Sequence, residues 1–195
     1  MKRKITAGNI LYTLMMVIIL IMLINPAAKS SLIRALMNIG FFRPDIPVPA
    51  SKKPIADPFN ISFKDTHGKM VNTTDLKGKV IFVNFWATWC PPCIAEMPSI
   101  NKLYAQFKNN PNVVFMIVDV DNDYSKANGF MQKHNYNLPM YTLASDVPGN
   151  IMDGTIPTTL VFDNAGRLVY QYTGAADYNN SNFTAYLNML IKKPH

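Results

Sequence analysis

The chain is poor in the residues that most often bind metals or act as nucleophiles. It contains only two cysteines, one glutamate and three histidines. Cys90 and Cys93 are separated by two residues, whereas His67, His134 and His195 are scattered. A zinc site needs four ligands, and neither a second cysteine pair nor a histidine pair at metal-binding spacing is present. A peroxidase would need a peroxidatic cysteine outside the pair. Both classes are therefore disfavoured, and no metal site is predicted.

The folded part also lacks an excess of positive charge. The chain of 195 residues has a net charge of +7. Residues 1–58 carry eight Lys or Arg against two acids, whereas residues 59–195 carry eleven against ten. A nucleic-acid-binding protein needs a basic face on its folded domain. The sequence therefore predicts no nucleic-acid partner. Its length allows one domain and a leader.

No charge interrupts residues 10–24, where Tyr12 and Thr13 carry the only polar side chains. Extended back to residue 7, this stretch approaches the roughly 20 residues that span a bilayer. Lys2, Arg3 and Lys4 precede it, as expected on the cytoplasmic side. Residues 1–25 are therefore predicted to be a cytoplasmic tip and a single transmembrane anchor. The alternative is a cleaved signal peptide, although proline interrupts the small-residue pattern of residues 25–28.

Residues 26–58 are predicted to connect this anchor to a domain at residues 59–195. Apolar residues recur at helical spacing within residues 31–42. This stretch is either an interfacial helix on the outer leaflet or a continuation of the anchor, and the sequence does not choose. Residues 43–58 contain five prolines, which predict an extended, semi-rigid linker.

The pattern from residue 59 onward predicts an α/β domain with three layers around a mixed sheet. Near-continuous apolar runs indicate buried strands, and apolar residues at helical spacing indicate helices. In chain order we predict a hairpin at 59–65 and 70–71, a strand at 80–86, a helix at 93–107, a strand at 113–120, a helix at 124–133, a strand at 139–143, a hairpin at 158–163 and 168–173, and a helix at about 181–191.

Two cysteines at this spacing could form a structural disulfide, but so short a loop stabilises a fold by only about 2 kcal/mol. Their position favours redox chemistry instead. The pair follows a predicted strand at the start of a predicted helix. Unpaired N–H groups and the helix dipole favour a thiolate there, so Cys90 is the candidate nucleophile. Cys93, one turn further in, would resolve the mixed disulfide.

The stretch 83–93, Val-Asn-Phe-Trp-Ala-Thr-Trp-Cys-Pro-Pro-Cys, and its continuation Ile-Ala-Glu-Met-Pro resemble the thioredoxin superfamily. The similarity is greatest to the TlpA/ResA-type branch of membrane-tethered thiol-disulfide oxidoreductases and covers roughly residues 59–190. It implies a thioredoxin-like fold and a protein-disulfide reductase that needs no cofactor. It also implies a single-pass protein of the bacterial inner membrane, with its C-terminal domain on the periplasmic, extracytoplasmic side.

Residues 155–158 resemble the cis-proline segment of the same family. The resemblance implies that Pro157 packs beside the cysteines and that Ile156 offers backbone hydrogen bonds to an extended substrate. The alternative is an ordinary proline at a strand start. Trp89, Pro91 and Pro92 would complete the substrate-binding surface.

One position departs from the pattern of cytosolic thioredoxins, which keep a buried aspartate six residues before the first cysteine. Here that residue is Asn84, which cannot take up a proton at neutral pH. Glu96, three residues after Cys93, could serve as the proton acceptor instead, as the ResA-type resemblance also implies. The alternative is that Glu96 only stabilises the start of the helix.

Three functions fit this chemistry. The first is a reductase that takes electrons from a membrane donor and passes them to oxidised exported proteins, among which the resemblance suggests apocytochrome c. The second is an oxidant that introduces disulfides, since direction depends on the reduction potential. The third is a non-enzymatic Cu(I) carrier, because thiolates and methionines can hold copper. However, at least half of the twelve methionines lie in the leader or on a predicted helix, which is typical of packing (among them Met1, Met15, Met16, Met22, Met37 and Met131).

Overall fold

The computed structural model describes residues 7–38, 60–149 and 151–192. In chain order its elements are α1 (Ala7–Ile24), α2 (Pro26–Asn38), β1 (Ser62–Asp65), β2 (Met70–Asn72), a 3-10 turn (Thr73–Leu76), β3 (Val80–Trp86), α3 (Pro91–Phe107), β4 (Val113–Asp119), α4 (Tyr124–Lys133), β5 (Met140–Leu143), β6 (Thr158–Phe162), β7 (Leu168–Thr173) and α5 (Ser181–Lys192).

Seven strands form one mixed sheet in the order β2-β1-β5-β4-β3-β6-β7. Strands β3, β4 and β5 run parallel, and the pairs β1–β2, β1–β5, β3–β6 and β6–β7 are antiparallel. Parallel neighbours need a crossover, which α3 and α4 provide. The predicted strands and helices of the domain are all present, and the mixed sheet is confirmed. The 3-10 turn was not predicted.

The sheet buries apolar side chains on both faces. Every residue of β3 is buried, with alternate side chains pointing to opposite faces. Helices α3, α4 and α5 all contribute to the cluster on the face of Phe82 and Trp86. The cluster on the other face contains Ile81, Val83 and Ile151, and Leu76 of the 3-10 turn packs against it, but none of the described α-helices contributes to it. The three-layer prediction implied α-helices on both faces of the sheet, but the described α-helices pack on one face only.

The helix that carries the cysteine pair begins at Pro91, two residues earlier than predicted. Proline is favoured at the first helical position because its fixed φ suits a helix and no N–H is lost from the ladder. Cys90 is the N-cap, and the helix continues through Pro98 to Phe107. On α4, the Asp123 side chain accepts from the backbone N–H of Lys126, as a helix cap does. Both helices thus start at a recognisable capping residue.

Helix α1 exposes its apolar side chains, among them Leu11, Val17 and Ile18. Within the described residues, no single helix is both long enough and apolar enough to cross a membrane. Two consecutive helical segments satisfy these criteria only when taken together, and the chain bends by 96° between them (Gly8–Ile21 and Pro26–Met37). The predicted proline-rich linker at 43–58 and the domain start at residue 59 lie outside the described residues.

Helix α2 packs on the folded domain, a contact that neither interpretation of its sequence included. Asn25 caps it, accepting from the backbone N–H of Ala27 at 2.9 Å. Near its end Met37 is buried in a small apolar cluster with Ala95 of α3 and Ala175, which follows β7. The helix therefore lies beside the element that carries the cysteine pair.

Candidate active site

The cysteine pair lies at the junction between β3 and α3. Cys90 and Cys93 are joined by a disulfide, with 5.3 Å between their Cα atoms. Cys90 caps the helix, and the backbone N–H of Cys93 donates to Cys90 Sγ at 3.3 Å. A sulfur at this position faces the unpaired N–H groups of the first turn, which stabilise negative charge. The geometry therefore favours a thiolate on Cys90 when the pair is reduced.

Both cysteines are buried, whereas the tryptophan that precedes them in the chain is exposed. Cys93 is wholly buried and Cys90 is 3% exposed. Trp89 is 60% exposed, and its Nε1 donates to Asp121 Oδ2 at 2.7 Å. Asp121 thus orients the indole beside Cys90. Sequence reasoning missed this residue, because it follows β4 and only the parallel pairing of β3 with β4 brings it close.

The segment before β6 reaches the same place from another part of the chain. The peptide bond between Ile156 and Pro157 is cis. Cys90 Sγ lies 3.9 Å from the carbonyl oxygen of Ile156. Pro157 is buried, while Ile156, Pro91 and Pro92 are half-buried. The structure therefore brings together Cys90, Pro157 and Ile156, and leaves part of the surface around them open to solvent.

Glu96 lies in the second turn of α3, and its carboxylate points into the core. It is wholly buried. Asn84 Nδ2 donates to Glu96 Oε1 at 2.7 Å, and the backbone N–H of Ala176 donates to Oε2 at 3.2 Å. Burial raises the pKa of Glu96 from an ordinary 4.5 to about 8, against the lowering effect of both donors. A helix-start acid would sit in the first turn, which contains none. Glu96 is instead a buried carboxyl in the second turn, and a carboxyl with a pKa raised in this way is a candidate for a functional group.

Three further contacts around Glu96 were not found from the sequence. Asn84 Nδ2 also donates to Thr159 Oγ1 at 3.0 Å. Ser99 Oγ donates to the carbonyl oxygen of Glu96 at 2.7 Å and accepts from the backbone N–H of Tyr178 at 3.2 Å. Through Ser99, α3 thus holds the chain segment that supplies the Ala176 N–H. The only signal was the presence of polar residues in otherwise apolar stretches.

Among the residues that the structure describes, no group of three or more His, Cys, Asp and Glu side chains is placed to hold a metal ion. Met97 and Met131 are buried in the core cluster that contains the cysteine pair. These methionines therefore fill core volume beside the helices.

A redox pair at a strand–helix junction, beside a cis-proline and on a mixed α/β sheet, defines a thioredoxin-like protein. The chain matches the Redoxin family over residues 47–187, and it belongs to that family. It is 33% identical over 116 residues to the thiol-disulfide oxidoreductase ResA of Bacillus cereus, a match covering 59% of this chain and 66% of that relative. With ResA of Bacillus subtilis it shares 32% identity over 139 residues, 69% of this chain and 74% of the relative.

Solved structures agree with this assignment. A thiol:disulfide interchange protein of the thioredoxin family from Chlorobium tepidum TLS superposes with a TM-score of 0.56 at 26% identity, covering 73% of this chain and 99% of that structure. The match to the Bacillus cereus relative spans just under two thirds of that protein's length. The thioredoxin-like α/β fold with a mixed sheet that the sequence predicted is confirmed, and the predicted enzyme class agrees with the name of these relatives, thiol-disulfide oxidoreductase.

Proposed function

We propose that the protein is a membrane-anchored enzyme that reduces disulfides of exported proteins outside the cytoplasm. The observation that carries the proposal is the buried carboxyl of Glu96, one helical turn from Cys93 and behind a cysteine pair whose first member caps α3. This arrangement supplies both a stabilised thiolate and a proton acceptor. Dithiol exchange needs both.

The reaction would proceed in two exchanges. The Cys90 thiolate attacks one sulfur of the target disulfide, which forms a mixed disulfide and releases the other target sulfur as a thiolate. Glu96 then takes the proton of the Cys93 thiol, and Cys93 attacks Cys90 Sγ. The second target thiolate leaves, and the Cys90–Cys93 disulfide forms. The target gains two electrons, the pair loses two, and a dithiol donor must reduce the pair again.

The substrate would lie across the surface formed by Trp89, Pro91, Pro92 and Ile156. An extended chain beside a cis-proline can pair with the backbone of the residue that precedes it, here Ile156. The carbonyl of Ile156, 3.9 Å from Cys90 Sγ, would place a target cysteine at the attacking sulfur. Hydrogen bonds to the substrate backbone depend little on the substrate's side chains, which suits an enzyme with several targets. Apocytochrome c is the target class that the ResA-type resemblance suggests.

The direction towards reduction rests on the groups near the sulfurs. Strong oxidants owe their potential to a stabilised reduced form. The residues between the cysteines here are two prolines, which carry no charge. A Glu96 carboxylate nearby would oppose a second negative charge on Cys93. The reduced form is therefore only modestly stabilised, which favours the disulfide in the enzyme and the transfer of electrons to the target.

The location rests on the N-terminal helix. Helix α1 exposes apolar side chains between Ile10 and Ile21 and at Ile24, and Lys2, Arg3 and Lys4 precede it. An apolar helix with this basic flank would insert in the bilayer with its start in the cytoplasm. The domain would then lie outside, close to a membrane-embedded electron donor, where tethering raises the effective concentration of each for the other.

A redox titration of the pair tests the direction. Equilibration with thiol buffers, followed by alkylation of free thiols, gives the midpoint potential. We expect a value nearer to about −270 mV, as in a thioredoxin, than to about −120 mV, as in a strong oxidant. A midpoint near the second value would make the protein an oxidant.

Trapping in cells tests the activity itself. The C93S variant keeps the attacking cysteine but cannot resolve the mixed disulfide, so it should accumulate disulfide-linked targets that disappear on reduction. The C90S variant is the matched control and should trap few or none. Absence of trapped species with C93S, together with a wild-type protein that leaves insulin disulfides intact, would contradict the oxidoreductase proposal.

A further inference from the structure

A small polar cluster lies in the core between β3, β6 and α3, and Asn84 is at its centre. Asn84 is wholly buried, in a strand whose other residues are apolar. Its Nδ2 makes both side-chain contacts, with Glu96 at 2.7 Å and Thr159 at 3.0 Å. Its Oδ1 is buried without a hydrogen-bond partner among the described residues. A buried carbonyl without a hydrogen-bond partner costs free energy. The contacts that stabilise the Asn84 side chain here are therefore those of its N–H groups.

Both hydrogen bonds to the carboxyl oxygens of Glu96 come from N–H donors. Asn84 Nδ2 faces one oxygen and the Ala176 N–H faces the other. A carboxylate can accept both bonds, and bonds to a charged acceptor are roughly twice as strong as neutral ones. Any loosening of Asn84 therefore destabilises the ionised form of Glu96 more than the protonated form. The position of one amide thus affects how readily Glu96 takes a proton.

Thr159 is the residue that fixes that amide. Asn84 and Thr159 are direct partners in the antiparallel register of β3 and β6, so the backbone ladder holds the two side chains opposite each other. Thr159 is 1% exposed, and its branched side chain is stiff about χ1. Its hydroxyl accepts the second N–H of Asn84 and so keeps Nδ2, rather than Oδ1, towards Glu96.

We propose that Thr159 is a positioning residue for the proton transfer from Cys93: its hydroxyl holds Asn84 where it stabilises the ionised form of Glu96, the form that can accept the proton. The inference rests on the proposed role of Glu96. In the step concerned, the proton leaves Cys93 Sγ for a Glu96 oxygen and no other reactant takes part. Thr159 touches none of the reacting atoms and acts through Asn84. The buried hydroxyls of Tyr178 and Tyr170 also face Glu96, and the first of them interacts with Thr159 as well.

The titration of Glu96 can be followed directly, because it is the only glutamate in the chain. Protein labelled with ¹³C at the glutamate carboxyl carbon gives one titrating resonance, since any label that passes into glutamine lies in an amide that does not titrate. The oxidised full-length protein is used, so the cysteines do not titrate either. The measurement is the midpoint of the chemical-shift change with pH.

We expect T159V to raise the midpoint by about 0.5 to 1 pH unit, the equivalent of one ordinary hydrogen bond. T159S keeps the hydroxyl and should restore the wild-type midpoint. T159A also lacks the hydroxyl and has a smaller side chain. It replaces T159V if that variant does not fold. The matched control is T158V. Thr158 is equally buried, but it contacts the Thr155 carbonyl at 2.7 Å and the Thr173 hydroxyl at 3.1 Å, so its loss should leave the midpoint unchanged.

A midpoint that stays in place or falls in T159V and T159A would overturn the inference, as would an equal rise in T158V. The proposed function fails separately. If E96Q reduces insulin disulfides at the wild-type rate, Glu96 is not the proton acceptor, whatever the effect of Thr159 on its titration.

Discussion

A carboxyl group with no access to water is either protonated or stabilised as a carboxylate by hydrogen-bond donors. For Glu96 the free energies of these two forms are close. Two N–H groups stabilise its ionised form, yet burial outweighs them and raises the pKa to about 8. Near neutral pH the group can therefore hold or release a proton at little cost. A proton acceptor in thiol exchange needs that balance, because its ideal pKa lies near the working pH.

This raised pKa makes stability depend on pH. The folded protein binds a proton at Glu96 over a range, from about pH 4.5 to about 8, in which the unfolded chain has released it. The free energy of unfolding should therefore be highest at the acid end and fall as the pH rises through this window, by on the order of 4 kcal/mol. Urea unfolding of the oxidised protein at pH 5 and pH 8 measures the fall.

E96Q is the control for this prediction, because glutamine does not titrate. Other groups, including Asp119 with its raised pKa, are common to both proteins and cancel in the comparison. The fall in the free energy of unfolding between the two pH values should be clearly smaller in E96Q. An equal fall in both proteins would show that Glu96 titrates alike in the folded and unfolded states.

At this scale the sequence predicted the reacting residues but not the residues that hold them. Cys90, Cys93 and Glu96 belong to one short continuous stretch, so spacing and resemblance were enough to propose them. Thr159 and Ala176 are distant in sequence, and their contacts depend on the register of β6 on β3 and on the path of the chain after β7. No local pattern encodes a register, because it follows from the packing of the whole sheet.

Among the elements, α2 has the least expected position. It is joined to α1, which exposes its apolar residues, and it packs through Met37 on the start of α3. The sequence indicated a helix here, because apolar residues recur at helical spacing. It did not indicate the contact, because the partners on the domain are two alanines, Ala95 and Ala175, that no pattern distinguishes from others. The strands and helices of the domain, by contrast, were predicted closely, because the apolar residues within each one form the run or the helical spacing typical of that element.

If α2 is docked through Met37, a charge at that position should release it. Met37 is 4% exposed, and burying an unpaired carboxylate there would cost more than undocking the helix. In M37D we expect backbone amides of residues 26–38 to exchange with deuterium at least about 10-fold faster than in the wild type, while those of β3 and β4 keep their protection. Hydrogen exchange followed by mass spectrometry measures both segments.

L32D is the matched control, because Leu32 lies on the same helix and is 47% exposed. It places the same charge in the same helix but leaves the contact intact, so protection of α2 should change little. Equal loss of protection in both variants would mean that the charge melts the helix. Unchanged protection in M37D would mean that α2 is held by other contacts.

The whole molecule joins a redox domain to an apolar helix through a second helix that lies against α3. If α1 is in the bilayer, the docked α2 would keep the cysteine pair close to the membrane. A flexible tether alone would let the domain explore a larger volume. This arrangement suits an enzyme that receives electrons from a membrane-embedded donor, because the effective concentration depends on both the length and the stiffness of the link.

The anchor can be tested in the full chain by two arginines in α1. Val17 and Ile18 are exposed and touch no part of the domain core, so V17R combined with I18R should leave the thermal unfolding of the domain unchanged. In a bilayer, each arginine near the centre of a spanning helix costs roughly 3 kcal/mol on insertion scales. We therefore expect the double variant to leave the carbonate-resistant membrane fraction, while V17L combined with I18L stays in it. Because the attacking cysteine is unaffected, the purified double variant should still reduce insulin at the wild-type rate. A double-arginine variant that remains in the membrane fraction would mean that another part of the chain holds the protein there.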